Sequence, residues 1–540
     1  MCIRDSTLAA SHAIQDIAIV EANDYVGGRV HSVTFQNHTV EWGANWISGK
    51  TLVQYDNDND NDNDNTSGRR TQVENPVWKL AQAIDLQGHP SERDDARQML
   101  VLDTDTSTVV TTEYLKQVER FEGIYGRALE ARKQLEDSQG GSNANNTKKH
   151  NPQVQTQTSV RSILEEYGWT PKANLTHLER AVEHNLLEVW VSESLEDLSS
   201  EYDMKPGAND VELGQEEVFV EDARGFHSIF DDMVQDLLRD NDNDTPTTTT
   251  KIHLQTQVQS IHYTPGKTKV VTKGLVAGGT VTEYHADVVV CTVSLGVLQS
   301  NQIDFHPPLP AWKVAALDQM KMFHFAKVYA KFPKRLWPAD KDYLVFITPG
   351  EAHRGHYPLW MRYKHTSNND NSNNNNNNNN TNNDDNTTDH NNHLLMCYLG
   401  GAQARRVEAL TEEQLKDDIQ ALFQKGFGRP AEDCRPVAVA VTDWSRNPRF
   451  CGSYSYFPKG AFASLPYSDL LRGLTGWDEK VDQEQTNATT SPPPPPSMTT
   501  LHFAGEAFHD KYNGWVQGGI LSGEQVAKDI LRGSILKKRQ

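Results

Sequence analysis

Cysteine is scarce: Cys2, Cys291, Cys397, Cys434 and Cys451 are the five in a chain of 540 residues. They form no CxxC pair and show no metal-ligand spacing, so neither a disulfide framework nor a zinc site is indicated. No apolar run reaches the length of a membrane span, and the terminal Lys538-Arg539-Gln540 is not a peroxisomal address. A basic excess is missing as well, since 52 Lys and Arg stand against 73 Asp and Glu, a net charge of -21. That balance excludes general nucleic-acid binding, which needs a basic stripe, and suits a cationic small molecule. A soluble, cytoplasmic protein with no nucleic-acid or membrane partner is the expectation.

The hydrophobic fraction, 36%, is low because polar tracts interrupt the chain. Residues 56–65 alternate Asp and Asn, residues 240–250 repeat the acidic theme and pass into Thr, and residues 366–392 are mostly Asn. Residues 484–498 carry five consecutive prolines among Ser, Thr and Gln. Such compositions bury too little apolar surface to offset their ordering entropy, so they are read as disordered inserts. Twelve aspartates lie in these tracts without an offsetting Lys or Arg, which leaves about -9 for the foldable remainder. Asp56, Asp58 and Asp60 mimic the start of a calcium loop, but Asn61 and Ser67 stand where Gly and Glu are required. His390 and His393 end the Asn tract as solvated residues. No metal site is expected.

The sequence also lacks a glycine loop near its start. Residues 7–15 read as the tail of a helix and residues 16–22 as a short apolar strand. In a dinucleotide-binding βαβ unit, a first strand and a GxGxxG turn precede such a helix, and residues 1–6 supply neither. The chain is therefore expected to begin inside the unit and, as given, to bind a dinucleotide weakly.

Downstream, residues 253–263 and 269–272 are predicted as antiparallel strands, and residues 286–293 as a strand buried on both faces. Helices are predicted around Leu80 and over residues 114–135, 159–167, 178–191 and 519–531. Strands are predicted over residues 326–332, 359–363, 394–399 and 500–505. Three clusters carry chemistry. In EANDYVGGRV, Glu21 ends a strand and can accept ribose hydroxyls, while Gly27 and Gly28, beside Arg29, let backbone N–H groups approach a pyrophosphate. In EWGANWISG, small residues flank two tryptophans, a pattern suited to backbone packed on a flat ligand. In LHFAGEAFHDKYNGWVQGGILSG, a strand delivers Gly505 and Glu506 to a helix start, where ligands of open α/β sheets bind.

In order and spacing the three clusters resemble the flavin amine oxidases over nearly the whole chain. CTVSLGVLQSNQIDFHPPLPAWKVAAL (residues 291–317), FAKVYAKFPKRLW (residues 325–337) and FVEDARGFHSIFDDMVQDLL (residues 219–238) are most similar to the plant-type polyamine oxidases. The resemblance implies an α/β fold: a Rossmann-like FAD-binding domain from residues 1–70, 216–305 and 445–540, and a mixed-sheet and helical substrate domain from residues 71–215 and 306–444. It also implies FAD-dependent oxidation of spermine- or spermidine-class polyamines, with oxygen reduced to hydrogen peroxide.

Carried over by position, the resemblance places Glu21 on the adenosine ribose, Arg29 and Gly28 at the pyrophosphate, and Val258 against the adenine. Gly43, Ala44, Asn45 and Trp46 fall beside the flavin with Trp444, and Glu506 and Val516 at its ribityl chain and ring edge. Lys327 matches a lysine that holds a water at the flavin. Tyr454 and Trp515 match an aromatic pair that sandwiches the amine, as ring faces attract a cation at the mouth of such a cage. Glu188 matches a tunnel carboxylate. Ser48 is a departure, since the family often carries Glu or His there. Cys451 lies near the covalent flavin attachment of monoamine oxidases, but its GSYSYF frame suits non-covalent FAD. The rival readings are a histone-lysine demethylase, which normally carries a coiled-coil insertion that no heptad run supports here, and a catalytically silent flavoprotein scaffold.

Overall fold

The computed structural model describes residues 16–55, 70–90, 96–140, 158–191, 194–204, 217–238, 249–363, 393–475 and 499–538. The four low-complexity tracts and the helix expected over residues 7–15 lie outside these described residues, apart from Thr249 and Thr250.

A seven-stranded mixed sheet organises the larger apolar core. Its order is Ala438–Val441, Phe325–Lys331, Leu394–Gly400, Leu359–Arg362, Tyr343–Ile347, Met99–Asp103 and Thr108–Val109. All neighbours pair antiparallel except Tyr343–Ile347 with Met99–Asp103. Strand alternation sorts the residues of Phe325–Lys331 between two cores. Ala326, Val328 and Ala330 pack toward Ile419, Leu422 and Phe423 of helix Glu412–Phe427. Tyr329 packs on the other side, with Phe121 of helix Thr111–Gly140 and Val182 of helix His177–Glu183. Lys327 shares the Tyr329 face, and the helices packed on that face enclose the lysine in the interior.

Leu359–Arg362 and Leu394–Gly400 form a hairpin with Met361 opposite Met396, and Tyr363 N donates to Leu394 O at 3.0 Å. The described chain on either side of the Asn tract, at Tyr363 and Leu394, is thus held by the sheet. Loop length changes closure entropy only slowly, so replacing residues 366–392 by a tight turn is expected to leave amine oxidation intact. A variant that folds, by circular dichroism, but loses oxidation would make the tract functional.

On the other side of the molecule, parallel pairs replace the hairpins. Asp16–Val20 pairs with Thr249–His253, and Val289–Cys291 with Leu501–Phe503, which leads to the long helix Val516–Lys538. A four-stranded sheet, ordered Val281–Ala286, Lys267–Gly274, Thr256–Thr264, Asp304–His306, lies alongside. Two expectations are corrected. Residues 253–263 are not one strand: Gln255, at φ 50°, turns the chain, and its N–H goes to Asn23 O at 2.8 Å. His253 therefore ends the strand paired with Asp16–Val20, and Thr256–Tyr263 belong to the antiparallel sheet. Residues 286–293 are not one strand either: Ala286 closes an exposed strand, and Val289–Cys291 form a separate one with Val289 and Val290 half-buried. The helix expected over residues 519–531 begins earlier, at Val516.

Candidate active site

Between the two sides lies a cavity of about 550 Å³. At one end the strand Asp16–Val20 delivers Glu21, whose Oε1 accepts from Asn23 N at 2.8 Å and Asn23 Nδ2 at 2.7 Å. Gly27 and Gly28 follow at φ 111° and 60°, conformations that side chains resist. A Cβ on Gly28 would meet nothing within 4 Å, so its backbone is open to the cavity. Val258 and Trp444 line the walls, and Trp444 Nε1 donates to Trp42 O at 3.0 Å.

One ion pair bridges the two chain segments on which the cavity depends. Arg29 Nη1 donates to Glu506 Oε1 at 2.8 Å and to Ser453 O at 2.9 Å. The other oxygen of Glu506 accepts from Ser455 Oγ at 2.6 Å, Ser455 N at 3.2 Å and Gly514 N at 2.7 Å. Gly505, Glu506 and Val516 thus face Gly27, Gly28 and Arg29 across one lining.

Lys327 reaches the centre of this lining. Its Nζ donates to Glu41 O at 3.0 Å, to Asn45 Oδ1 at 2.7 Å and to Gly43 O. Burial pushes the lysine pKa down and that of the Glu41 carboxyl up; the attraction between the two opposes both shifts. Three protein acceptors make a full ammonium set, two of them, Gly43 O and Asn45 Oδ1, in the Gly43–Ala44–Asn45 loop. The lysine clamps that loop to the sheet.

Beyond Lys327 the walls turn aromatic. Trp46 packs edge-on to Trp190 at 5.8 Å and to Phe219 at 5.3 Å. Phe325 lies 5.9 Å from both Trp190 and Tyr454, and Tyr454 donates its hydroxyl to Trp190 O. The backbone of Gly514 runs close to Tyr454: a Cβ there would lie 3.4 Å from the tyrosine ring. Ser48, Tyr454 and Trp515 all border the cavity. Sequence reasoning missed Trp190 and Phe325; Phe325 stands two residues before Lys327, on the same strand face, and alternation could have found it.

Glu188 is the correction. It is buried away from the cavity, where its carboxylate accepts from Arg354 Nε at 2.7 Å, contacts His184 Nδ1 at 3.2 Å and accepts from Leu195 N at 3.3 Å. The cause is a π-helical turn over His184–Glu188, which changes the phase of the side chains along helix His177–Glu183 and its continuation. Leu186, Leu187 and Trp190 point to the cavity instead. Burial alone would raise the Glu188 pKa, but His184 and Arg354 hold it down to about 2. Its stabilising contribution is therefore complete above the ordinary carboxylate range and lost as pH falls toward 2. Replacing Glu188 by alanine leaves Arg354 with Glu183 as its remaining buried partner. The expected cost is about 1.5–3 kcal/mol of stability, that of losing a hydrogen bond to a charged group, seen as a lower Tm with KM for amines little changed; a raised KM at unchanged Tm would restore the tunnel role.

The lining fits a flat, acceptor-rich dinucleotide. Trp46 Nε1 and Gln517 Nε2 are buried donors with no partner among the described residues, and both residues border the cavity. A Cβ on Gly519 would meet only Glu506 N, at 3.8 Å, so a ring can approach that backbone closely. A dinucleotide-sized cradle running into an aromatic chamber across a buried lysine defines a cofactor-dependent oxidoreductase. The family model for "Flavin containing amine oxidoreductase" matches residues 6–531, and the chain belongs to that family. It is an FAD-dependent amine oxidoreductase. Polyamine oxidase 1 of Zea mays is 24% identical over 96% of this chain and 86% of its own length. A possible lysine-specific histone demethylase 1 of Drosophila melanogaster is 26% identical over 52% of this chain and 28% of its own. Putrescine oxidase bound to putrescine shares the fold, with a TM-score of 0.60 at 15% identity over 98% of this chain and 96% of that one. No helix among the described residues is long and apolar enough to cross a membrane.

Proposed function

We propose that the protein oxidises polyamines of the spermine and spermidine class. The carbon beside the nitrogen gives up a hydride and the nitrogen a proton, water hydrolyses the resulting imine to an aldehyde and a shorter amine, and oxygen takes up the two electrons and two protons as hydrogen peroxide. FAD, held without a covalent bond by Glu21, Gly27, Gly28, Arg29, Gly505, Glu506 and Val516, supplies the redox chemistry. Gly43, Ala44, Asn45 and Trp46 would lie beside its ring with Trp444, and Val258 against its adenine.

The observation that carries this reading is the aromatic chamber next to Lys327, walled by Trp46, Trp190, Phe325, Tyr454 and Trp515. Ring faces attract a protonated amine at the mouth, while their apolar depth favours the neutral amine that can be oxidised. Lys327 fixes the Asn45 loop and so the position of the ring against the reacting carbon. The resemblance to the maize polyamine oxidase spans both sides of the molecule, whereas the demethylase relative covers about half the chain.

The test is product analysis with FAD-loaded protein. Spermine or spermidine should yield equimolar peroxide and aldehyde. Peroxide from a dimethyl-lysine peptide and none from either polyamine would transfer the site to the demethylase reading.

A further inference from the structure

Trp515 reaches the cavity at the end of a turn, residues 509–514, that joins the short helix Glu506–Phe508 to the long helix Val516–Lys538. Three bonds fix the far half of the turn. Tyr512 O accepts from Trp515 N at 3.2 Å, Glu506 Oε2 from Gly514 N at 2.7 Å, and Ser455 O from Asn513 Nδ2 at 3.2 Å. Tyr512 is buried against Leu52, with Trp515 packed beside them. A Cβ on Gly518 would lie 1.9 Å from Tyr512 O, so that carbonyl is pressed against the helix behind it. The near half is tied by His509, whose Nδ1 accepts from Lys511 N and from Tyr512 N, both at 3.2 Å.

Two backbone N–H groups converge on Nδ1, so that nitrogen presents its lone pair and the proton of the neutral ring sits on Nε2. Asparagine and aspartate commonly accept in this way from the backbone two residues on. Here the acceptor is an imidazole, which titrates. Protonation places a hydrogen where both donors point. The two bonds are then lost, and Asp510 Oδ1, 3.6 Å from Nδ1, is the acceptor toward which the new N–H turns. The ring is half-buried, and burial holds its pKa below the usual histidine value; Asp510 opposes that shift and Lys511 adds to it. From other elements, Tyr202 of helix Ser200–Asp203 and Tyr467 face Asp510, and the Tyr512 ring lies 5.1 Å from the imidazole.

We propose that His509 is a positioning residue for amine oxidation: its neutral ring holds the turn that sets Trp515 in the chamber wall, and protonation releases that turn. The proposal rests on the reading of Trp515 as a wall of the amine chamber. The native ring takes up its proton at lower pH than the same ring in the unfolded chain. His509 therefore costs the fold nothing above the ordinary histidine range, and stability is lost as pH falls from there toward the native pKa. The loss of activity follows the native ring and lies below the ordinary value of about 6.5.

His509→Asn separates the acceptor from its titration, because the amide oxygen sits on Cγ as Nδ1 does, accepts the same two N–H groups and takes up no proton. The ratio of kcat/KM for spermidine, wild type over His509→Asn, cancels the titration of the substrate itself. In FAD-loaded protein that ratio should be level above pH 7 and fall by about threefold to tenfold by pH 5. His509→Leu, which has no acceptor, should be lower than wild type by about fivefold to a hundredfold at pH 7, the effect of losing two hydrogen bonds, and His509→Asn should not. Without any substrate, the Tm of wild type should drop below that of His509→Asn as pH falls from 6.5. A ratio that stays level to pH 5, with wild type and His509→Asn melting in parallel, overturns the proposal. Wild-type protein that leaves spermidine unoxidised overturns the polyamine reading instead, and the same ratio taken with benzylamine then decides the proposal. If His509→Asn does not fold, His509→Asp, whose carboxylate accepts throughout this range, takes its place under the same criterion.

Discussion

Replacing Lys327 by methionine is expected to slow flavin reduction by amine by about tenfold to a thousandfold, the usual range for removing a positioned polar group beside the reacting atoms. Methionine keeps length and packing, so the two cores on either side of Phe325–Lys331 should hold. What disappears is the donor to Glu41 O, Gly43 O and Asn45 Oδ1. Gly43 O and Asn45 Oδ1 then lose the ammonium, while Glu41 O keeps the Tyr329 hydroxyl, and the loop that carries Trp46 is no longer clamped to the sheet. Stopped-flow bleaching of the flavin by spermidine, with reoxidation by oxygen followed separately, measures both half-reactions. Unchanged rates in both would remove Lys327 from the mechanism. Slower reduction with unaltered flavin content would show that the lysine acts on chemistry and not merely on cofactor retention.

Glu506→Ala is expected to cost still more. The carboxylate answers four donors, from Arg29, Ser455 (twice) and Gly514. Removing it leaves the Arg29 charge facing a partner that is gone and frees the Gly505 turn from the Gly28 turn. Breaking a buried pair by deleting one member typically costs about 3–5 kcal/mol, which corresponds to a loss of at least about a hundredfold if it falls on cofactor affinity. The variant should purify pale and melt lower, and added FAD should restore part of its Tm. A variant that retains stoichiometric FAD would show that the Arg29–Glu506 bridge is not what holds the cradle shut.

The cradle was the most legible part of the sequence because its signals are local. A strand-end acid, a pair of glycines and a strand-to-helix turn each announce themselves within ten residues, and the structure gathers Glu21, Gly28, Arg29, Gly43, Gly505 and Glu506 around one cavity. Lys327 was legible only through the family resemblance: in FAKVYAK the lysines share one strand face, which read alone suggests a solvated side chain, and its burial comes from helices distant in sequence that cover that face. The substrate end was harder to read. Glu188 occupies a sequence position that suits a tunnel wall, but a single π-helical turn rotates it toward Arg354, and no composition or periodicity announces such a turn. The strand break at Gln255 was hidden for a related reason. The apolar pattern runs on through it, and the turn is fixed by bonds to Asn23 and Glu21, which are distant in sequence.

The central claim is that the aromatic chamber presents a polyamine to the flavin. Anaerobic titration of the FAD-loaded protein with spermidine tests it most directly. The account predicts that the yellow absorbance bleaches with a stoichiometry of one amine per flavin and returns when oxygen is admitted. Flavin that stays oxidised under excess spermidine and spermine, in protein with full FAD content, would contradict it.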